Sequence, residues 1–186
     1  MNYKAHKAEW TDCTKCSLSD QRSRLVFARG KIPADILLVG EAPGVSEDTL
    51  GIPFVGPAGK LLDRIIQSGI PPKVRWCITN LVCCYPRDAK ETKNHEPPKE
   101  AILACGPRLA QLYTLCRPKG IIAVGGLSDK WLGKILLQEK IVQTHLVYAT
   151  ILHPAAILRL DVSQRSLAIR RAVATFQTVA GSVIGG

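Results

Sequence analysis

The sequence predicts an α/β fold built on a mostly parallel sheet in layers. Short apolar runs end in glycine or a polar residue, and amphipathic helical stretches lie between them. The composition is aliphatic, with 46% hydrophobic but only 5% aromatic residues. Strands that alternate with helices imply parallel pairing, with helices stacked against the sheet.

Asp35 to Gly40 is a continuous apolar run closed by glycine, as expected of a strand buried on both faces. Gly59 to Ser68 places Leu61, Leu62, Ile65 and Ile66 on one helical face, with Gly69 as the expected stop. Arg75 to Val82 reads as a second strand. Arg87 to Pro98 is polar and reads as a loop. A helix then starts at the prolines with Ile102, Cys105, Leu109 and Leu112 on one stripe, and Pro107 is expected to interrupt it. Ile121 to Gly126 and Leu146 to Leu152 supply a third and a fourth strand. A last helix is expected to be capped by Ser163, with Ile169, Val173 and Phe176 inward and Arg165, Arg170 and Arg171 outward.

A chain of 186 residues without repeats or linkers reads as one domain, residues 1–186, able to bury a full core. The net charge of +10 is spread along the whole length, which points to a polyanionic partner, nucleic acid above all, over a merely solvated basic surface. No apolar run reaches membrane-span length, and Met1 to Lys4 carries no apolar signal core. Seven cysteines, an odd number with Cys83 and Cys84 adjacent, argue against a secreted disulfide framework. A soluble, cytoplasmic protein is expected.

Cys13 and Cys16 form a C-x-x-C pair among polar residues, and Cys84 and Cys105 follow far downstream. This spacing suits a four-ligand centre that ties the N-terminal segment to the middle of the domain. Spacing alone leaves zinc and a [4Fe–4S] cluster equally open. Cys77, Cys83 and Cys116 read as core or spare thiols.

In parallel sheets, ligands bind beyond the C-terminal ends of the strands. Glu41, Asn80 and His153 all fall at such ends. Gly40-Glu41-Ala42-Pro43-Gly44 turns sharply out of its strand, which lets backbone amides face a ligand. Phe54 lies between Pro53 and Gly56, placed either to pack under its loop or to stack on a flat ring. Asn80 by itself would be a turn cap and His153 by itself a structural histidine; their convergence with Glu41 raises both above that reading.

Taken in order, the C-x-x-C pair, Gly40-Glu41-Ala42-Pro43-Gly44 with Glu47-Asp48, Pro53-Phe54-Val55-Gly56-x-Ala58-Gly59, Thr79-Asn80 with Cys84, then Cys105 and His153-Pro154 resemble the family 4 uracil-DNA glycosylases. The resemblance covers nearly the whole chain. It implies a three-layer α/β/α architecture with a central four-stranded, mostly parallel sheet. It also implies a [4Fe–4S] cluster on Cys13, Cys16, Cys84 and Cys105, structural in role, and hydrolytic removal of uracil from single- or double-stranded DNA by a monomer, in base excision repair.

By position, Phe54 would stack on a flipped base and Asn80 would read its edge. His153 would stabilise the departing base, and the loop containing Ala42 and Gly44 would hold the attacking water. Glu47 would stand where thymine carries its methyl group. Position 42 is alanine, so the aspartate that some uracil-glycosylase families carry in this loop is missing, and Glu41 is the nearest carboxylate. Ile157, Leu158 and Arg159 would form a wedge that fills the gap in the base stack. The segment from Asp88 to His95 looks longer than in ordinary members, and a related branch that captures uracil sites covalently places a histidine near His95. A relative that keeps the fold and cluster but only binds DNA is the other alternative.

Overall fold

The structure, a computed structural model, describes residues 1–87, 96–141 and 146–185. The elements run α1 (Tyr3–Trp10), a 3-10 turn (Ser17–Asp20), β1 (Arg29–Gly30), β2 (Ile36–Gly40), α2 (Val45–Leu50), α3 (Pro57–Gly69) and β3 (Trp76–Asn80). They continue with α4 (Lys99–Cys116), β4 (Gly120–Val124), α5 (Gly126–Gln138), β5 (Val147–Ile151), α6 (Pro154–Arg159) and α7 (Val162–Gly185). His95 lies outside the described residues.

The sheet order is β1-β3-β2-β4-β5. The four strands expected from the sequence are all present and parallel. A fifth, β1, joins the edge of β3 antiparallel, setting Arg29 opposite Ile78 and Gly30 opposite Cys77. Two residues carry no periodicity that a sequence reading can detect. Gly30 sits there at φ +111°, where a Cβ would stand 2.3 Å from the Trp76 carbonyl oxygen.

Side chains alternate across the sheet, and both faces are covered. Ile36, Leu38, Ile78 and Ile122 pack with Leu62 and Ile65 of α3 and Phe176 of α7. Leu37, Val39, Cys77 and Ile121 pack with Ile102 and Leu109 of α4 and Leu132 and Ile135 of α5. The result is the three-layer α/β/α architecture. From β2 the chain moves outward to β3, then crosses to β4 on the other side of β2. Beyond the C-terminal ends of β2 and β4 lies the switch point at which such folds open a ligand crevice.

Other expectations are corrected by packing. Pro107 does not interrupt its helix, since α4 runs unbroken through it from Lys99 to Cys116. The proline forgoes a hydrogen bond to the Leu103 carbonyl, but Ile102, Leu109, Leu112 and Cys116 hold the helix on the sheet. Gly69 is the last residue of α3 and not a left-handed cap. Its bareness serves packing, because a Cβ there would meet the Phe176 Cβ at 2.5 Å. Ser163 lies within α7, where Asp161 does the capping by accepting from the Gln164 N–H at 2.9 Å and the Ser163 hydroxyl at 2.7 Å. Arg165 is half-buried and turns back to donate to the Leu158 and Leu160 carbonyls, both at 2.8 Å. Among the described residues no helix is long and apolar enough to cross a membrane.

Asp48 on α2 is 2% exposed. Its carboxylate accepts from the Ser23 N–H at 2.9 and 3.0 Å and from Arg24 N–H at 3.3 Å, and pairs with Arg87 at 3.2 Å. Asp48→Ala strands those buried amides and should cost about 1–3 kcal/mol in urea denaturation. An unchanged midpoint would show that the carboxylate does not hold the 22–24 segment.

Candidate active site

β2 ends at Gly40, and the missing side chain there creates the centre of the site. A Cβ on Gly40 would lie 2.3 Å from Phe54 Cζ and 2.4 Å from Asn80 Oδ1. The Phe54 ring and the Asn80 amide therefore share the space above bare backbone.

Phe54 adopts φ +57°, a left-handed conformation that a bulky residue holds only when its surroundings impose it. Glu47 and Arg29 impose it here. Glu47 Oε1 accepts from the Val55 N–H at 2.8 Å and the Gly56 N–H at 2.9 Å, while Oε2 accepts from the Gly44 N–H at 3.1 Å. Arg29 donates to the Pro53 carbonyl at 2.8 Å and the Phe54 carbonyl at 3.3 Å, and is itself paired with Asp63 at 2.6 Å. Glu47 is thus a clamp on the Phe54 loop, a task that sequence reasoning missed. The Gly44 amide is likewise taken up by Glu47.

Asn80 closes β3 and is 1% exposed. Its Oδ1 is buried without a hydrogen-bond partner. An orphaned acceptor in such a position costs about 1–3 kcal/mol unless something else supplies a donor.

His153 caps α6, its Nδ1 accepting from the Ala155 N–H at 3.2 Å. That bond assigns the ring proton to Nε2 in the neutral tautomer. Burial, with the Arg159 charge adding and Glu47 opposing, pushes the His153 pKa down to about 4, so the ring is neutral at pH 7. Its centroid lies 6.1 Å from that of Phe54, tilted by 33°.

Glu41 Oε1 accepts from the Leu127 N–H at 3.3 Å. Burial raises its pKa, with the Leu127 bond opposing and the Glu96 charge adding. Glu41 and His153 meet over Gly125, where a Cβ would lie 2.3 Å from Glu41 Oε1 and 3.2 Å from His153 Cβ. Glu41, Ala42, Glu96, His153 and Arg159 line one cleft at the switch point.

The wedge expectation is corrected in part. Ile157 is fully buried in the core with α3 and α7, because the short α6 turns it inward beside Pro154. Leu158 is half-buried, and Arg159 stands exposed at the cleft rim.

Cys13, Cys16, Cys84 and Cys105 line a second, smaller cavity together with Cys83, Arg22 and Arg108. Among the described residues no three His, Cys, Asp or Glu side chains are gathered closely enough to hold a metal ion. The chemistry of the wall nonetheless fits an anionic thiolate-ligated group. Arg22 points at Cys84 Sγ at 3.6 Å, and Arg108 contributes a second positive charge. Cys105 is held below the usual thiol range by the hydrogen bond it accepts from Cys83, with burial opposing and Arg108 assisting. Cys77 and Cys116 are free core thiols that share a hydrogen bond, as the spare-thiol reading expects, whereas Cys83 stands at the cavity wall.

Residues 27–177 match the family model of the uracil DNA glycosylase superfamily. The type-4 uracil-DNA glycosylase of Pyrobaculum aerophilum is 34% identical over 162 residues, 80% of each chain. That of Saccharolobus solfataricus is 42% identical over 124 residues, 66% of this chain and 55% of the other. That of Archaeoglobus fulgidus is 33% identical over 165 residues, 81% of this chain and 80% of the other. The crystal structure of wild-type Pedobacter heparinus SMUG2 superposes with a TM-score of 0.62 at 17% identity, covering 80% of this chain and 76% of that one, a likeness of fold. On this evidence the chain belongs to the uracil-DNA glycosylase superfamily and, within it, to the type-4 uracil-DNA glycosylases.

Proposed function

We propose that this protein is a DNA glycosylase that flips uracil out of DNA and hydrolyses its N-glycosidic bond, leaving an abasic site for base excision repair. The observation that carries the reading is the buried, unpartnered Asn80 Oδ1 beside the Phe54 ring. Uracil presents a donor at N3–H and an acceptor at O4, which an asparagine amide matches with its carbonyl and its NH₂. Cytosine presents the reverse pattern and leaves each buried group mismatched, at about 1–3 kcal/mol apiece. Phe54 stacks on the extruded ring.

In the reaction the C1′–N1 bond breaks and its electron pair leaves with the base. Water oxygen bonds to C1′, and the water proton balances the departing base. The neutral His153 donates from Nε2–H to the base oxygen on which negative charge gathers. Glu41, the cleft carboxylate at the C-terminal end of β2, orients the water and stabilises the positive charge on the sugar. Arg159 at the rim and the net charge of +10 serve the phosphates, and Leu158 is the apolar residue left to press into the stack. One chain carries every one of these groups, so no partner subunit is needed to complete the site.

Cys13, Cys16, Cys84 and Cys105 hold a [4Fe–4S] cluster in this reading. These four thiols line one cavity with Cys83, Arg22 and Arg108, and the resemblance to the family 4 uracil-DNA glycosylases favours the cluster over a single zinc ion. When bound, the cluster supplies a clamp between the N-terminal segment and α4, not chemistry at the sugar.

The direct test is incubation with uracil-containing single-stranded DNA, then alkaline cleavage of abasic sites. Wild type should break the strand and Asn80→Ala should lose excision at least about 100-fold. An Asn80→Ala enzyme of near-normal rate would reduce Asn80 to a turn cap. Purified protein should be brown, with about four iron and four sulfide per chain; a colourless zinc protein would contradict the cluster.

His153 also gives a pH signature. Its folded pKa of about 4 lies below the unfolded value of 6.5. The unfolded chain therefore binds the extra proton between those limits, and stability falls as pH drops through that window. Between pH 7 and pH 4.5, His153→Gln should lose about 1–2 kcal/mol less stability than wild type, after discounting for partial exposure. Parallel losses in the two proteins would mean that His153 is not held neutral.

A further inference from the structure

Arg108 is among the largest fully buried side chains, at 1% exposed. A guanidinium does not give up its proton in a protein, so its charge must be answered where it lies. No carboxylate answers it among the described residues, whose ion pairs join Arg29 to Asp63, Arg75 to Asp35 and Arg87 to Asp48. Its fork goes instead to the end of β3. Nη1 donates to Thr79 Oγ1 at 3.1 Å, and Nη2 donates to the Asn80 carbonyl at 2.7 Å and the Leu81 carbonyl at 3.0 Å. Nε has no partner.

The other side of the same residue lines the cysteine cavity with Cys83, Cys84 and Cys105. Cys105 is its hydrogen-bonding and electrostatic partner on this side. Thiolates that ligate a metal centre would add to the negative charge beside it. The side chain that fixes the backbone of Asn80 is therefore the one whose charge the cysteine centre would satisfy.

We propose that Arg108 is a positioning residue that joins the cysteine-bound centre to base reading, its charge set against the ligand thiolates and its fork holding the carbonyls that orient Asn80. The inference rests on the cluster assigned to Cys13, Cys16, Cys84 and Cys105 under the proposed function. Cluster loss would then loosen recognition of the base before the fold is lost.

The test compares wild-type holoprotein with Arg108→Gln, which removes the charge, and Arg108→Lys, which keeps the charge but loses the fork. Iron and sulfide analysis comes first: wild type without a cluster ends the cluster reading and this inference with it. With the cluster present, two further readouts address Arg108 alone, the cluster midpoint potential and inhibition by free uracil. A nearby cation stabilises the reduced, more negative cluster. Arg108→Gln should therefore lower the potential, whereas Arg108→Lys should leave it near the wild-type value. Both variants should bind free uracil at least about tenfold more weakly, because the Asn80 carbonyl is released in each. A wild-type potential in Arg108→Gln, or uracil inhibition within about twofold of wild type in Arg108→Lys, overturns the inference. A general loss of stability moves neither quantity in this pattern, and the Lys variant decides alone should the Gln variant not fold.

Discussion

The space above Gly40 is claimed by the Phe54 ring and the Asn80 amide, and the rest of the site is arranged to keep them there. Neither claimant is at rest by itself. Phe54 carries a left-handed backbone, and Asn80 carries a buried oxygen without a partner. Both are states that a fold tolerates only when other interactions over-determine them. Arg29 grips the carbonyls and Glu47 the N–H groups of the peptides around Phe54, and Arg108 grips the peptide behind Asn80. A flat ring surface and a polar amide are thereby held in fixed positions, the preorganisation that the proposed reading of a flipped base requires.

The charged groups of the site divide by what burial does to them. Glu47 and Asp48 are tied down by several backbone N–H groups apiece, so their carboxylates serve as structural acceptors. Among the described residues Glu41 accepts from the Leu127 amide alone, and burial pushes its pKa up. His153 is pushed the opposite way and stays neutral. An acid and a base whose environments move them toward neutrality sit side by side over Gly125, as in sites where charge develops on the substrate and not beforehand on the protein. The cysteine cavity stands apart from this chemistry, and Arg108 belongs to both regions.

Much of this was legible from the sequence because the signals are local. An apolar run ending in glycine marks a strand and the loop after it, so the order of strands placed Glu41, Asn80 and His153 at one end of a sheet. The C-x-x-C pair with Cys84 and Cys105 picks four thiols from seven, and the structure sets those four around one cavity together with Cys83, which spacing alone reads as a spare thiol. Gly69 was a glycine with a purpose, but its purpose is the approach of Phe176, a residue of α7 that no helix-stop rule can see.

What the sequence by itself determined, then, is the layered α/β class, the strand ends at which Glu41, Asn80 and His153 stand, and the spacing of the cysteines that line the cavity. Tertiary structure alone decided that Glu47 clamps a loop, that Asp48 is buried, that Ile157 faces the core, that Pro107 stays helical and that Arg29–Gly30 adds a strand. It also decided that Arg108 ends behind Asn80. The physical reason is the same throughout. Periodicity and turn chemistry act between residues a few positions apart, whereas a buried charge or a bare backbone site takes its meaning from partners that only the folded chain brings within a few ångströms.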